Sequence, residues 1–319
     1  MEREPSASEA YEGYVLEETW QAALVAKFED LHYVIDAPMH RWTTFKVGGP
    51  ADMLVQPQST QQFAELITFA SSRGIPVEIL GGGSNTIVRD GGIRGLVIVV
   101  GEGMARLEIA SEELICAEAG VRLSSLSHLA AEESLSGLEF AAGIPGTLGG
   151  ALVMNAGAYG SDISLLTERV QILDDSTCLR WLDRSEMEFS YRHSIIQEHP
   201  WWVVAAELLL HPGDKVLIQQ RMEQINRERS FKQPLQYPSA GSVFKRPTGF
   251  YAGRLIESCD LKGFTIGGAQ VSPLHAGFII NTGRATALDI ERLINHIQQE
   301  VLLRHGVALE LEVRIIGQA

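Results

Sequence analysis

The segment from Gly137 to Gly160, GLEFAAGIPGTLGGALVMNAGAYG, constrains the fold more than any other part of the chain. It is largely apolar, yet it contains seven glycines and one proline. Backbone of this kind must turn tightly or let another group approach closely. Loops with these properties often carry function on a rigid scaffold. The residues alone leave two interpretations open, one wall of a ligand site or an irregular core loop between strands.

A second glycine-rich segment, GGGSN at Gly81–Asn85, follows the short apolar run Ile75–Leu80. Successive glycines expose a row of backbone N–H groups, which suits phosphate oxygens. Ser84 and Asn85 add side-chain donors. The segment matches neither GxGxxG nor GxxxxGK[ST], so neither of those nucleotide sites is indicated. A tight strand-to-strand turn is the alternative.

The composition excludes several classes of protein. A net charge of −14 over 319 residues disfavours a general nucleic-acid binder. Cys116, Cys178 and Cys259 are widely spaced and predict reduced thiols, and no metal-ligand spacing is present. The acidic start lacks the apolar run of a secretory signal, and no run reaches the roughly 18 apolar residues of a membrane span. We therefore expect a cytoplasmic protein without metal, nucleic acid or membrane as partner.

Periodicity predicts helices and strands along the whole chain. Their order indicates an α+β fold rather than a doubly wound sheet. Helices are expected at 19–31, 59–73, 123–133, 215–229, 252–258 and from 286 or 289 to 303. Strands are expected on both sides of Gly48-Gly49-Pro50 within 40–57, and at 75–80, 96–100, 106–109, 114–118, 170–174, 179–182, 202–210 and 307–316, with a further short one at 186–189.

Seven segments, in order and spanning 43–317, closely resemble one family, the flavin-dependent UDP-N-acetylenolpyruvoylglucosamine reductases of peptidoglycan synthesis, in their shorter subclass. They are TTFKVGGPAD (43–52), LGGGSNTIVRDGG (80–92), GLEFAAGIPGTLGGALVMNAGAYG (137–160), FSYRHS (189–194), KQPL with PSAGSVFK (232–245), GFTIGGAQVSPLHAGFIIN (263–281) and LEVRIIG (311–317).

This resemblance implies an FAD-binding domain of the vanillyl-alcohol-oxidase-like (PCMH) type plus a smaller α+β substrate-binding domain. The expected divisions are an N-terminal extension and helix at 1–38, an FAD-binding region at 39–212 with lobes at 39–80 and 81–212, a substrate-binding domain at 213–308, and a C-terminal strand at 309–319 that returns to the FAD-binding region. The extension exceeds what the family needs.

The resemblance also implies FAD as cofactor and NADPH as hydride donor for UDP-N-acetylglucosamine enolpyruvate. Hydride would reach C3 of the enolpyruvyl group and a proton C2. Backbone N–H groups of the GGGSN segment would hold the FAD pyrophosphate. The remaining FAD contacts would come from Ile144, Pro145, Gly146, Gly149, Gly150, Val153, Asn155, Gly157 and Ala158, with Gly81, Gly82, Gly83, Ser84 and Asn85 at the pyrophosphate.

Three residues match catalytic positions of the family. Arg192 would hold the substrate carboxylate, since a guanidinium is always charged and binds bidentately. Glu312 would face the same carboxylate, and two facing carboxyl groups resist joint ionisation. Ser242 would supply the proton to C2, helped by Lys245 or by water, because a free hydroxyl is a poor acid.

Substrate contacts are expected from Tyr159, Lys232, Lys245 and His275. Lys232 would bind the UDP phosphates, although a solvated lysine is an equal alternative. Departures from the family pattern are Arg246, where Asn is frequent, and Leu311, where Pro is frequent. A monomer is favoured. Two other readings stay open, another flavoenzyme of the same superfamily and a flavin-binding module without turnover.

Overall fold

The computed structural model describes residues 19–319. The predicted loose order of residues 1–18 lies outside the described residues. Within them the chain forms seven α-helices. These are α1 (Trp20–Lys27), α2 (Thr60–Ser71), α3 (Leu123–Glu132), α4 (Leu148–Met154), α5 (Lys215–Lys232), α6 (Ala252–Ser258) and α7 (Ala287–His305).

Eighteen short strands accompany the helices of residues 19–319. They are β1 (His32–Pro38), β2 (Pro50–Gln56), β3 (Val77–Leu80), β4 (Thr86–Val88), β5 (Ile93–Val99), β6 (Leu107–Ile109), β7 (Leu114–Glu118), β8 (Leu135–Ser136), β9 (Gly157–Ala158), β10 (Ser161–Asp162), β11 (Thr167–Leu173), β12 (Leu179–Asp183), β13 (Trp202–Leu209), β14 (His211–Pro212), β15 (Thr265–Ile266), β16 (Ala269–Val271), β17 (Ile279–Asn281) and β18 (Arg314–Ile316).

The first sheet delivers the GGGSN segment to the site. Its order is β1-β2-β5-β3, with β2 and β3 parallel to β5. Helix α2 connects β2 to β3 and begins where Ser59 Oγ accepts from the Gln62 N–H at 3.1 Å. Its buried face includes Phe63 and Leu66. The predicted helix at 59–73 and the strand that runs into Gly81 are confirmed.

The second sheet is antiparallel and supports the Gly137–Gly160 segment. Its order is β12-β11-β13-β7-β6. Its buried residues, such as Ile172 and Leu208, share the largest apolar cluster with α2 and α3. Helix α4 lies against this sheet because Gly149 N–H donates to Ala119 O at 2.9 Å, just after β7 ends. The strands predicted at 106–109, 114–118, 170–174, 179–182 and 202–210 and the helix at 123–133 are confirmed within a few residues.

A separate apolar cluster lies in the last third of the chain. It combines one face of α7 with α6, β16 and β17, and it includes Phe45, Val47 and Ile87 from the first third. Strand β18 then pairs with β4 in parallel, joining Arg314 to Thr86 in register. The last strand of the chain therefore lies beside the strand that follows the GGGSN segment. The division into domains stays a prediction.

Four sequence predictions are wrong in detail. The helix expected at 19–31 ends at Lys27. The first strand, β1, is His32–Pro38 and therefore precedes residues 40–47, where a strand was expected. Residues 40–47 instead fold as a loop, in which Lys46 has a φ of 59° and Thr44 N–H donates to Gly83 O. Residues 184–187 form a 3₁₀ turn, not a strand, because Asp183 and Glu186 form a capping box.

The closing strand is also shorter than expected, since only Arg314–Ile316 is a strand. Residues before it bond elsewhere: Lys245 N–H donates to Glu310 O, and Glu312 N–H donates to Val243 O, both at 2.8 Å. These bonds use the backbone groups that a longer strand would need. They also bring Glu312 next to the segment that carries Ser242.

We expect Asn281→Ala to lower the free energy of unfolding by about 1–3 kcal/mol, because its buried amide holds three backbone groups. Nδ2 donates to Phe45 O at 3.1 Å, and Oδ1 accepts from the N–H groups of Gly283 and Ala285. Denaturant unfolding measures the loss. Gln61→Ala, which removes only an exposed bond to Glu65, is the control. Equal stability of the two variants would contradict the role given to Asn281.

Candidate active site

A cavity of about 890 Å³ lies where the two glycine-rich segments face each other. Typical ligand pockets have roughly 300–1,000 Å³. Its wall combines residues from distant parts of the chain. They include Val77–Thr86, Ala119 and Leu123, most of 144–159, Arg192, most of 196–203, Arg229, Gln233, Ala240–Ser242, Phe278, Glu312 and Arg314.

The GGGSN segment offers free donors to this cavity. Within residues 19–319, the backbone N–H groups of Gly81–Asn85 donate to no backbone acceptor. Glycine is required here for two reasons. Gly83 has a φ of 59°, and a Cβ on it would lie 2.1 Å from Trp42 O. A Cβ on Gly82 would lie 2.9 Å from Gly146 Cα, so the two glycine-rich segments touch through backbone.

Ser84 and Asn85 line the cavity, and their side chains also bond to protein atoms. Their predicted role as ligand donors stays a prediction. Ser84 Oγ donates to Pro145 O at 2.9 Å, which joins the two glycine-rich segments. Asn85 Nδ2 donates to Glu312 O at 3.0 Å, and Asn85 O accepts from Arg314 N–H. Asn85 therefore links the row of free amides to the segment that carries Glu312.

Arg192 and Glu312 form an ion pair inside the cavity. The distance from Arg192 Nε to Glu312 Oε1 is 2.6 Å, and the two side chains are only 18% and 16% exposed. The other guanidinium nitrogens donate to Asn155 O at 3.3 Å and Gly157 O at 2.9 Å. Arg192 itself has a φ of 57°, a left-handed conformation held by the loop around it.

Burial raises the pKa of Glu312 above its ordinary value of 4.5, while Arg192 and then Lys245 act in the opposite direction. The direction is the expected one for a carboxyl group taken out of water. A guanidinium at 2.6 Å would by itself lower the pKa, so burial is the larger effect. Glu312 is thus a carboxyl group that gains a proton more readily than a surface glutamate does.

Ser242 lies on the same cavity wall. Gly241 before it has a φ of 75°, and Ser242 bridges to Phe278 through its backbone. Among the described residues no buried side-chain oxygen lacks a hydrogen-bond partner. Because the Ser242 hydroxyl makes no bond to a protein atom, it is open to the cavity.

The structure brings most of the predicted cofactor residues together. Thirteen of these fourteen line the cavity, and Asn155 lies just behind it. Asn155 is buried, has a φ of 41°, and its Nδ2 donates to Ser190 O at 2.9 Å. Because its own carbonyl accepts from Arg192, Asn155 orients the loop that carries the arginine.

The predicted substrate residues are more scattered. Tyr159 lines the cavity, and its hydroxyl donates to Ile225 O at 3.5 Å. Lys232 lies outside the wall, with Nζ 3.0 Å from Glu228 Oε2. Lys245 Nζ is 3.9 Å from Glu310 Oε2. His275 also lies outside, with Nδ1 accepting from Gly277 N–H at 3.1 Å. The roles given to these four stay predictions.

Arg229 and Gln233 line the cavity and were missed by the sequence reasoning. Burial lowers the pKa of the Arg229 guanidinium, and Tyr159 acts in the opposite direction. No acidic side chain within residues 19–319 forms an ion pair with Arg229. Arg229 lies three residues before Lys232 on the arginine-rich α5, a spacing that places both side chains near one face of the helix. That spacing from the predicted phosphate ligand Lys232 was the available signal in the sequence.

The site fits a large anionic dinucleotide such as FAD. Free amides face the cavity at Gly81–Asn85, and glycines allow close approach on both sides. The wall continues over apolar residues, which suits flat ring systems. Among the residues that the structure describes, no group of three or more His, Cys, Asp or Glu side chains could hold a metal ion. No helix of 19–319 has the length and apolarity to cross a membrane.

Comparison with known proteins agrees with this geometry. Residues 233–316 match the family model described as the C-terminal domain of UDP-N-acetylenolpyruvoylglucosamine reductase, and residues 51–175 match that of an FAD binding domain. The reductase of Caldanaerobacter subterraneus subsp. tengcongensis is 49% identical over 89% of this chain and 93% of its own length. That of Pediococcus pentosaceus is 47% identical over 91% and 96%.

The chain belongs to the UDP-N-acetylenolpyruvoylglucosamine reductase family. The crystal structure of such a reductase from Thermus caldophilus has a TM-score of 0.78 and 32% identity to it, covering 90% of this chain and 99% of that chain. The predicted fold class, a vanillyl-alcohol-oxidase-like FAD-binding domain plus a smaller α+β domain, is confirmed. This reductase-family chain is an oxidoreductase with FAD as cofactor.

We expect Gly150→Ala to weaken FAD binding about tenfold without loss of stability. The added methyl group would clash with the ligand rather than with protein atoms, at a cost of about 1.4 kcal/mol in binding free energy. A Cβ at Gly150 meets only Thr147 Oγ1, at 3.9 Å, whereas one at Gly149 would lie 2.9 Å from Ala119 Cβ. Gly149→Ala, the matched comparison, should instead lower stability by about 1–3 kcal/mol. Flavin titration of the apoprotein and denaturant unfolding separate the two. FAD bound by Gly150→Ala with wild-type affinity would contradict the contact.

Glu312→Gln should change how stability depends on pH. The raised pKa of Glu312 means that the folded protein holds this proton more tightly than the unfolded chain. The wild type therefore loses this contribution as pH rises through the raised pKa. Relative to wild type, the unfolding free energy of Glu312→Gln should rise as the pH increases from the ordinary value of 4.5 through the raised pKa. Glu310→Gln, whose side chain is 78% exposed, is the control. Parallel pH curves for wild type and Glu312→Gln would contradict the expectation.

Proposed function

We propose that the chain reduces UDP-N-acetylglucosamine enolpyruvate to UDP-N-acetylmuramate, a precursor of peptidoglycan, with NADPH as the hydride donor. The observation that carries this proposal is the Arg192–Glu312 pair in the same cavity wall as the open hydroxyl of Ser242. When bound, FAD would supply the chemistry of hydride transfer between NADPH and C3 of the enolpyruvyl group. The residues of this chain would bind the substrate, polarise its carboxylate and protonate C2.

Arg192 is suited to hold the substrate carboxylate. A guanidinium has five N–H donors in a fixed fork. Contacts to Glu312, Asn155 and Gly157 engage three of its nitrogens in this structure, and each terminal nitrogen keeps a second N–H. Negative charge that develops on the carboxylate during hydride addition would meet a cation already fixed in place. Such preorganised charge is commonly the largest single contribution to catalysis.

Glu312 is suited to share a proton with that carboxylate. Its pKa is already raised by burial, and a second carboxyl group in the cavity would raise it further. A protonated Glu312 can donate a hydrogen bond to the developing charge, which an ionised one cannot. Asn85 Nδ2 donates to the backbone oxygen of Glu312 at 3.0 Å, so the Glu312 carboxyl group is held in position before the reaction begins.

Ser242 is suited to give the proton to C2. Its hydroxyl is free of protein partners, and the Gly241–Ser242 turn presents it at the wall. A hydroxyl needs help to act as an acid. The charge of Lys245, three residues on, reaches far enough to influence Glu312, and the same charge favours the alkoxide left on Ser242.

The UDP phosphates would be bound by cations near α5. Lys232 is a candidate, although its ammonium is engaged by Glu228. Arg229, one helical turn earlier, lines the cavity without an acidic partner among the described residues, and a guanidinium binds phosphate bidentately. Arg229 is therefore the stronger candidate, and Tyr159 beside it would contact the substrate at the cavity wall.

Rapid mixing of the purified FAD-loaded protein tests the proposal. NADPH should bleach the flavin absorbance, and the enolpyruvyl UDP-sugar should restore it under anaerobic conditions. Protein that is bleached by NADPH but not restored by the sugar would overturn the proposal and favour another flavoenzyme of the superfamily. Protein that is not bleached would favour a flavin-binding module.

Ser242→Ala should leave flavin bleaching by NADPH nearly unchanged and slow restoration by the UDP-sugar by about 10²–10⁴-fold, because only the second step needs the proton donor. Ser239→Ala, in the same PSAGS segment but outside the cavity wall, should leave both steps unchanged. If Ser242→Ala slowed both steps equally, the serine would be structural.

A further inference from the structure

Arg89 and Asp90 follow the GGGSN segment and strand β4, yet neither lines the cavity. Arg89 reaches across to α7 instead. Its Nε is 2.9 Å from Glu291 Oε1 and its NH2 is 3.2 Å from Oε2, a bidentate pair. A third guanidinium nitrogen donates to Gly317 O at 3.3 Å, just after β18. The Arg89 side chain thus bonds both to helix α7 and to the residue after strand β18, the strand that follows Glu312.

Asp90 holds the start of the same helix. Its two carboxylate oxygens accept from the N–H groups of Ala287 and Leu288, each at 2.9 Å. Helix α7 already has its own capping box from Thr286 and Asp289. Asp90 therefore satisfies two further free amides, with favourable charge for a helix N-terminus. The acceptor comes from about 200 residues away in sequence, so its effect is to fix α7 relative to β4.

Helix α7 connects this contact to the catalytic residues. Its buried face includes Ile290, Leu293 and Ile297. These side chains belong to the same apolar cluster as Val243 and Val313, the neighbours of Ser242 and Glu312. Packed interiors transmit displacements because they have few voids. The position of α7 therefore sets where the hydroxyl and the carboxyl group lie.

We propose that Arg89 and Asp90 are positioning residues that hold Ser242 and Glu312 in register with the cofactor held by Gly81–Asn85. The inference rests on the proposed function, since the register matters for proton delivery to the substrate. Strand β4 leaves the GGGSN segment directly, so one short piece of chain binds the cofactor on one side and fixes α7 and β18 on the other. Cofactor contact and catalytic register are built from the same 12 residues, 81–92.

The test measures the two half-reactions of the FAD-loaded enzyme. Asp90→Ala and Arg89→Met should slow restoration of the flavin absorbance by the UDP-sugar about 10- to 100-fold, the size of effect that small misplacement of reacting groups produces. Bleaching by NADPH and the affinity for FAD should change little, because neither depends on Ser242. Asp90→Asn, which keeps one acceptor oxygen, should lie between Asp90→Ala and wild type.

The controls separate positioning from stability. Glu300→Ala removes an ion pair with Arg304 inside α7 and should leave the ratio of the two half-reaction rates unchanged. Arg89→Glu and Glu291→Arg should each slow restoration, and their combination should recover it. The inference is overturned if Asp90→Ala and Arg89→Met lower the unfolding temperature but keep the wild-type ratio. A wild-type enzyme that the UDP-sugar does not reoxidise would overturn the proposed function and this inference together.

Discussion

Close contact between two stretches of bare backbone organises this molecule. A Cβ on Gly82 would lie 2.9 Å from Gly146 Cα, so the two glycine-rich segments touch with no side chain between them. Ser84 Oγ reinforces the contact by donating to Pro145 O. The amides of Gly81–Asn85 are left facing the cavity, free for a ligand. The shape of the cavity thus depends on a contact that only glycine permits.

The Arg192–Glu312 pair shows how the fold holds charge in a partly buried place. Taking both groups out of water costs free energy that pairing repays only with good geometry and further hydrogen bonds. Here Arg192 also donates to Asn155 O and Gly157 O, and the backbone of Glu312 is held by Asn85. The arginine nevertheless has a left-handed φ of 57°. Strain and burial at this point are the expected signs of a site selected for reactivity over stability.

Much of the site was predictable because its residues lie in short, glycine-rich or charged motifs. The GGGSN amides were predicted from the residues themselves, and the contacts within 144–158, Arg192, Ser242 and Glu312 from the family resemblance. The cavity brings them together with the exception of Asn155. Arg229 was missed, since an arginine in an arginine-rich helix looks like surface charge until the helix is placed. The side chain of Asn85 was predicted as a ligand donor, and the structure shows in addition that one of its two amide N–H groups donates to Glu312 O. Whether a side-chain donor bonds to a protein acceptor or to a ligand depends on which acceptors lie nearby in the fold, and the order of residues does not show that.

The sequence by itself determined the family, through seven segments that resemble it in order, and with the family the fold class. It also determined many local conformations, because glycine positions, helix caps and apolar periodicity act over a few residues. It placed α2 between Ser59 and Gly74 and the turn of free amides after Leu80. Only the tertiary structure decided which distant groups meet. The β18 pairing with β4 and the contacts of Arg89 and Asp90 with α7 join residues about 200 positions apart. The burial that raises the pKa of Glu312 also exists only once these elements are packed. Such contacts depend on how whole elements pack, and packing is a property of the complete chain.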